Sequence, residues 1–301
     1  MQANKLFLAL AGGAALMVAG SAMAQIAQTK HNLGTGNTTW NGNTGLGNAA
    51  TDEICVFCHT PHGADTTAGP APLWNRKLPT TTYKTYDQLG TSTLDGQVLA
   101  VGSVSLACLS CHDGSQAFNA VRNAPGSGGF MNDPTTATAG FQWDPNPAVA
   151  DNFKEFDRMP TSGGDAILNL GNNLSLGQTN GDDLRDDHPV GIQYCGGGPS
   201  VASPSAACAD ADFTAPSSGS INGTLQFWVD NGGAGRQKTD FTLYVRNFTA
   251  GAGPSVECAS CHDPHLNNVT FLRVPNGAAN AQGSGKSGNP GSRVCLACHT
   301  K

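Results

Sequence analysis

The chain has 301 residues with 39 Gly, 17 Pro and 10 Cys, 13% charged and 39% hydrophobic residues, and a formal charge of -6. An acidic balance of this kind excludes nucleic acid and anionic lipid as partners recruited by charge. A chain so rich in glycine and so poor in apolar period cannot offset its conformational entropy by side-chain burial alone, so it is either disordered or built around something other than side chains.

Residues 1–24, MQANKLFLALAGGAALMVAGSAMA, combine Lys5, an apolar run and the small-residue ending Ala22-Met23-Ala24. The pattern predicts a secretory signal cleaved before Gln25. The apolar run is short for a stable membrane span and lacks a charged stop. Nothing later approaches transmembrane length, so residues 25–301 are expected to be exported, either to the cell exterior or outer surface or, as the alternative, to the periplasm.

Next in the chain, GNTTWNGNTGLGNAATDE has no apolar period and reads as loop, as does VPNGAANAQGSGKSGNPGSR near the end. Residues 105–121, SLACLSCHDGSQAFNAV, carry helical apolar spacing. The acidic run GDDLRDDH lacks EF-hand spacing and reads as a solvated turn. Cys195 and Cys208 bracket the loop CGGGPSVASPSAAC, where a disulfide would contribute ~3 kcal/mol in the chain-entropy account. TLQFWVD and FTLYVRNF alternate apolar and polar residues on either side of NGGAGRQKTD and predict a β-hairpin. The expected fold is therefore mostly irregular, with few short helices, one β-hairpin and no conventional side-chain core.

The other eight cysteines form four copies of C-x-x-C-H: Cys55-Cys58-His59, Cys108-Cys111-His112, Cys258-Cys261-His262 and Cys295-Cys298-His299. Two thiols at this spacing add to the two vinyl groups of one haem, and the next residue places its imidazole under the iron. Zinc ribbons need no histidine directly after each pair, and thioredoxin-like pairs need a βαβ context that is missing. Four covalently bound c-type haems are expected.

Eight histidines are present, and the four outside the motifs are His31, His62, His188 and His265. Their number equals the number of irons needing a second axial ligand, and past the signal only Met131 and Met159 compete. Bis-histidine ligation leaves no coordination position for a substrate, so the pattern predicts electron transfer and no enzymatic activity. Trp74, Phe118, Trp143 and Trp228 are expected to pack against porphyrin faces.

The motifs also repeat. The first and third read CVFCHTPH and CASCHDPH, the second and fourth CLSCH and CLACH, and one lone histidine lies upstream of each pair. This predicts a single tetrahaem domain made of two di-haem units, about residues 25–125 and 180–301, joined by a loop-rich connection. Each unit has too little apolar sequence for its own core, so haem is expected to be required for folding.

Together HNLG, ICVFCHTPHG with PLWNR behind it, SLACLSCHDG, DDHPVGI, VECASCHDPH and the terminal VCLACHTK resemble the extracellular multihaem cytochromes of metal-reducing bacteria, of the OmcE-like tetrahaem filament kind. The resemblance implies a homo-oligomeric conductive filament with its four haems stacked, exporting electrons to minerals, partner cells or other cytochromes. It implies His59, His112, His262 and His299 as proximal ligands and His31, His62, His188 and His265 as distal ones, one of them supplied to the adjacent subunit.

His62 lies three residues past His59 and cannot easily cross the porphyrin plane, so it is expected to serve a different iron, and His265 likewise. Each serves either the second haem of its own unit or that of the preceding unit. The favoured wiring has His265 at the Cys108-Cys111 haem and His62 at the Cys295-Cys298 haem of the adjacent subunit, with His31 and His188 capping the first and third haems. A soluble periplasmic tetrahaem shuttle is the alternative function. A multihaem reductase would need one iron without a distal histidine.

Overall fold

The alternation in TLQFWV and FTLYVRNF does produce a strand pair, with Phe227 opposite Leu243 and Val229 opposite Phe241. A computed structural model describes residues 25–33, 54–115, 121–123, 170, 181–233, 235–274 and 292–300. The expected signal segment, nearly all of the connection between the units, and Phe118, Trp143, Met131 and Met159 lie outside the described residues.

That pair is the middle of a larger sheet. Strands β1 (Ile192–Gln193), β2 (Ser217–Ile221), β3 (Thr224–Val229), β4 (Phe241–Phe248) and β5 (Gly251–Val256) form one antiparallel sheet in the order β1-β5-β4-β3-β2. The expectation of a loop-dominated chain with one hairpin is thus incorrect. The β2–β3 connection is the two-residue turn Asn222-Gly223, with φ of 50° and 78°. Both central residues take the left-handed conformation that a right-twisted hairpin demands. Pro254 is tolerated within β5 because β1 reaches only Val256 and Ser255, leaving β5 as an edge at the proline.

A side-chain core exists where none was expected. Tyr194, Phe227, Val229, Phe241, Leu243 and Val256 pack with Val274 and Ala297, and Cys261, Val294 and Cys298 lie against them. One face of the sheet therefore supports the last two C-x-x-C-H motifs. Phe227, Val229 and Phe241 have no exposed surface, and burying each such side chain contributes about 1.5–3 kcal/mol. The Cys195–Cys208 disulfide is present, with Cα atoms 5.4 Å apart, at the margin of this core.

Three short helices carry the later motifs: α1 (Ser103–His112), α2 (Cys258–Cys261) and α3 (Arg293–Cys298). Helix α1 covers only part of the predicted 105–121 span. Asp113 turns its carboxylate to the Tyr83 hydroxyl and to Ser115, and Gly114 at φ 69° ends the helix, while residues 116–120 lie outside the described set. The buried side of α1 is Ser105, Ala107, Leu109 and Ser110, small enough for close approach by other backbone.

The two expected units interlock. Leu99 donates to the Gly191 carbonyl, Gln193 to that of Gln97 and Leu184 to that of Lys84, while Lys84 pairs with Asp182 at 3.1 Å. The acidic run is thus part of this seam: Asp183 is fully buried and held by Arg185 at 2.6 Å. Among the described residues no helix is long and apolar enough to cross a membrane.

Candidate functional site

All eight motif cysteines are free thiols, and they neighbour one another in motif order. Burial, with the Cys111 thiol beside it, pushes the Cys58 pKa up to about 12. Cys108 shares a hydrogen bond with Cys258, which raises the first thiol and lowers the second. Burial and neighbouring thiols likewise raise Cys261 to about 11 and Cys298 to about 12. The first motif thus meets the second, the second the third, and the third the fourth.

The first and third motifs are held by the same set of hydrogen bonds. His59 Nδ1 lies 2.7 Å from the Pro72 carbonyl, Thr60 N–H donates to Leu73 and Asn75 N–H to Cys58. His262 Nδ1 lies 2.7 Å from the Thr270 carbonyl, Asp263 N–H donates to Phe271 and Arg273 N–H to Cys261. Leu73 and Phe271, at matching places in the returning strand, both have left-handed φ, 54° and 57°. Such a conformation costs of order 1–3 kcal/mol in a non-glycine residue and persists only where surrounding bonds impose it. Here they aim a carbonyl at Nδ1, which fixes the tautomer and leaves Nε2 for a metal.

Two lone histidines face motif histidines. The rings of His59 and His265 have centres 6.2 Å apart with planes 15° apart, and those of His112 and His31 are 6.0 Å apart with planes at 89°. Two imidazoles on opposite sides of one metal, with metal–nitrogen bonds of about 2 Å, have ring centres roughly 6 to 6.5 Å apart. His31 packs on Phe271 at 4.1 Å, its Nδ1 is buried without a hydrogen bond, and burial together with His112 pulls its pKa down to about 3. It is held neutral, as a ligand must be. His188 is lowered by burial and, less, by His299, its neighbour across the fourth motif. His62 is exposed; Thr60 and Asn123 bond only its backbone, and among the described residues no ring contact reaches the imidazole of His62 or of His262.

These neighbours differ from the favoured wiring. His265 meets the first motif rather than the second, His31 the second rather than the first, and His188 the fourth rather than the third. The sequence reading placed each ligand by its position within a repeat. In the folded chain the units cross, so a histidine of the second unit reaches the first motif.

Several supporting residues escaped the sequence reading. Glu257, whose side chain has no exposed surface, accepts from Ser105 Oγ of α1 at 2.5 Å and from Arg246 of β4 at 2.7 Å, and Ser105 Oγ also accepts from Cys258 N–H. This network clamps the second motif to the third. Its signal was legible as Glu257-Cys-Ala-Ser260, a reciprocal capping box at the start of α2. Arg76, also fully buried, donates to the Ser110 carbonyl and lies beside Cys58. Trp74 sits edge-on to His59 at 5.9 Å, and Trp228 is buried on β3.

The donor set fits haem. Thiols stand in pairs in all four motifs, His59 and His262 have their tautomers fixed, and two imidazole couples, His59 with His265 and His112 with His31, stand about 6 Å apart. Among the described residues no three His, Cys, Asp or Glu side chains converge as a protein-only metal cage. No family model matches the chain, and no curated protein matches it.

Proposed function

We propose that this protein is a tetrahaem electron-transfer subunit that polymerises into an extracellular conductive filament. The observation that carries the reading is the pair of imidazole couples, His59 with His265 and His112 with His31, each at the spacing two axial ligands require. Each motif would hold one haem through its two cysteines, with His59, His112, His262 and His299 as proximal ligands. His265, His31 and His188 would cap the first, second and fourth irons within the chain.

One motif histidine and one lone histidine are then left over. Among the described residues His262 has no ring contact opposite it, and the exposed His62 is bonded only through its backbone, to Thr60 and Asn123. The repeat supplies the match: His265 of the second unit serves the first motif, so His62 of the first unit is the counterpart ligand for the third motif. His62 at the surface reaches the Cys258-Cys261 site of an adjacent copy, which makes assembly and ligation one event. This supports a homo-oligomer and revises which site His62 completes.

Bound haem supplies a one-electron iron couple. The paired cysteines of each motif would hold it, and the motif and lone histidines would ligate the iron, so that the group would serve electron transfer rather than substrate binding. Export past the membrane follows from the signal-like first 24 residues.

The test is the protein expressed with cytochrome maturation machinery, and its His62→Ala variant. The expected result is four covalent haems in both, filaments with all irons low-spin for the parent, and short or absent filaments with one high-spin iron for the variant. Fewer than four haems, or a His62→Ala protein that polymerises with every iron low-spin, contradicts the proposal.

A further inference from the structure

The repeat is unequal at one position next to a distal ligand. In the second unit Asp263 precedes Pro264-His265, and its Oδ1 accepts from the His265 backbone N–H at 3.0 Å and lies 2.9 Å from His265 Nδ1. Asp263 is buried, and Arg273 stands 3.6 Å from its other oxygen. In the first unit the same place is Thr60. Its hydroxyl donates to the His62 carbonyl at 2.9 Å and accepts from His62 N–H at 3.4 Å, so it keeps the backbone turn but makes no bond to the ring.

We propose that Asp263 is a positioning residue that lowers the reduction potential of the Cys55-Cys58 site below that of its repeat mate at Cys258-Cys261. This rests on the tetrahaem reading above. A carboxylate on Nδ1–H fixes the His265 tautomer with Nε2 toward His59 and raises the basicity of the ring. A more basic axial imidazole favours ferric over ferrous iron, so the potential falls. His62, with a threonine in that place, lacks this effect. The two halves of a duplicated chain thereby acquire different driving forces, and electrons have a preferred direction between the first and third sites.

Three variants test this, each measured as filaments by spectroelectrochemical titration with low-temperature paramagnetic resonance and a haem count. Asp263→Asn removes the charge, Asp263→Thr imports the side chain of the first unit with its backbone-turn bonds, and Thr60→Asp builds the carboxylate beside His62. The expected result is an upward shift of a single midpoint potential in both Asp263 variants, with altered g values for one low-spin iron. Thr60→Asp is expected to lower a different single potential. A merely structural aspartate would leave Asp263→Thr like the parent. Four attached haems whose potentials stay unchanged in all three variants overturn the inference and leave the function standing, whereas a chain that takes up no haem overturns both.

Discussion

Glu257 is a carboxylate sealed from solvent whose position is set by a serine from the first half of the chain and an arginine from the second. Burial raises its pKa even though Ser105, Arg246 and Ser255 all stabilise the charge. Truncation to alanine would leave Arg246, itself largely buried, without its anion, a loss that in buried pairs typically costs about 3–5 kcal/mol. Glu257→Ala is therefore expected to shift the urea midpoint of the holo-protein downward by a large fraction of its stability, and Glu257→Gln, which keeps the shape and part of the bonding, by less. Equal stability of parent and Glu257→Ala would mean the network is ornamental. Residues of this kind are hard to see in sequence because the partners lie 152 positions apart for Ser105 and 11 for Arg246.

At the level of elements, β3 and β4 were readable because Phe241 and Leu243 flank Thr242 on β4, and because Phe227, Trp228 and Val229 on β3 are aromatic or β-branched strand formers. β2 and β5 were not, because SSGSI and GAGPSV consist mainly of small residues with weak strand preference, and their backbone pairing decides the structure. Asn222-Gly223 was the turn signal that would have extended the hairpin. The four C-x-x-C-H motifs and the four lone histidines could be picked out in the sequence, whereas which imidazole meets which could not, since that depends on how the units cross. Two predictions belong here. Phe227→Ala should cost about 3–5 kcal/mol by opening a cavity in the sheet core, measured by thermal unfolding. Replacing Cys195 and Cys208 by serine should cost about 2–4 kcal/mol by releasing a loop of 13 residues' separation, with all four haems retained.

Across the whole molecule, two kinds of cohesion divide the labour. The sheet has its own core, with Phe227, Val229 and Phe241 fully buried, while the first motif rests on the small cluster of Ala68, Ala71, Trp74 and Ala107. The apo-chain is accordingly expected to keep a protease-resistant fragment within residues 192–256 when made without the maturation machinery, and to be cleaved readily in residues 54–78. Uniform digestion of the apo-chain would show that the sheet, too, needs haem. The central claim, that a second imidazole from the same unit, the other unit or a neighbouring copy closes every iron, is tested most directly by cryo-electron microscopy of the filaments at a resolution that shows axial ligands. The account predicts His265 opposite His59, His31 opposite His112, His188 opposite His299, and His62 of the neighbouring copy opposite His262. Density in which His62 caps an iron of its own chain, or in which His265 and His59 bind different irons, would contradict it.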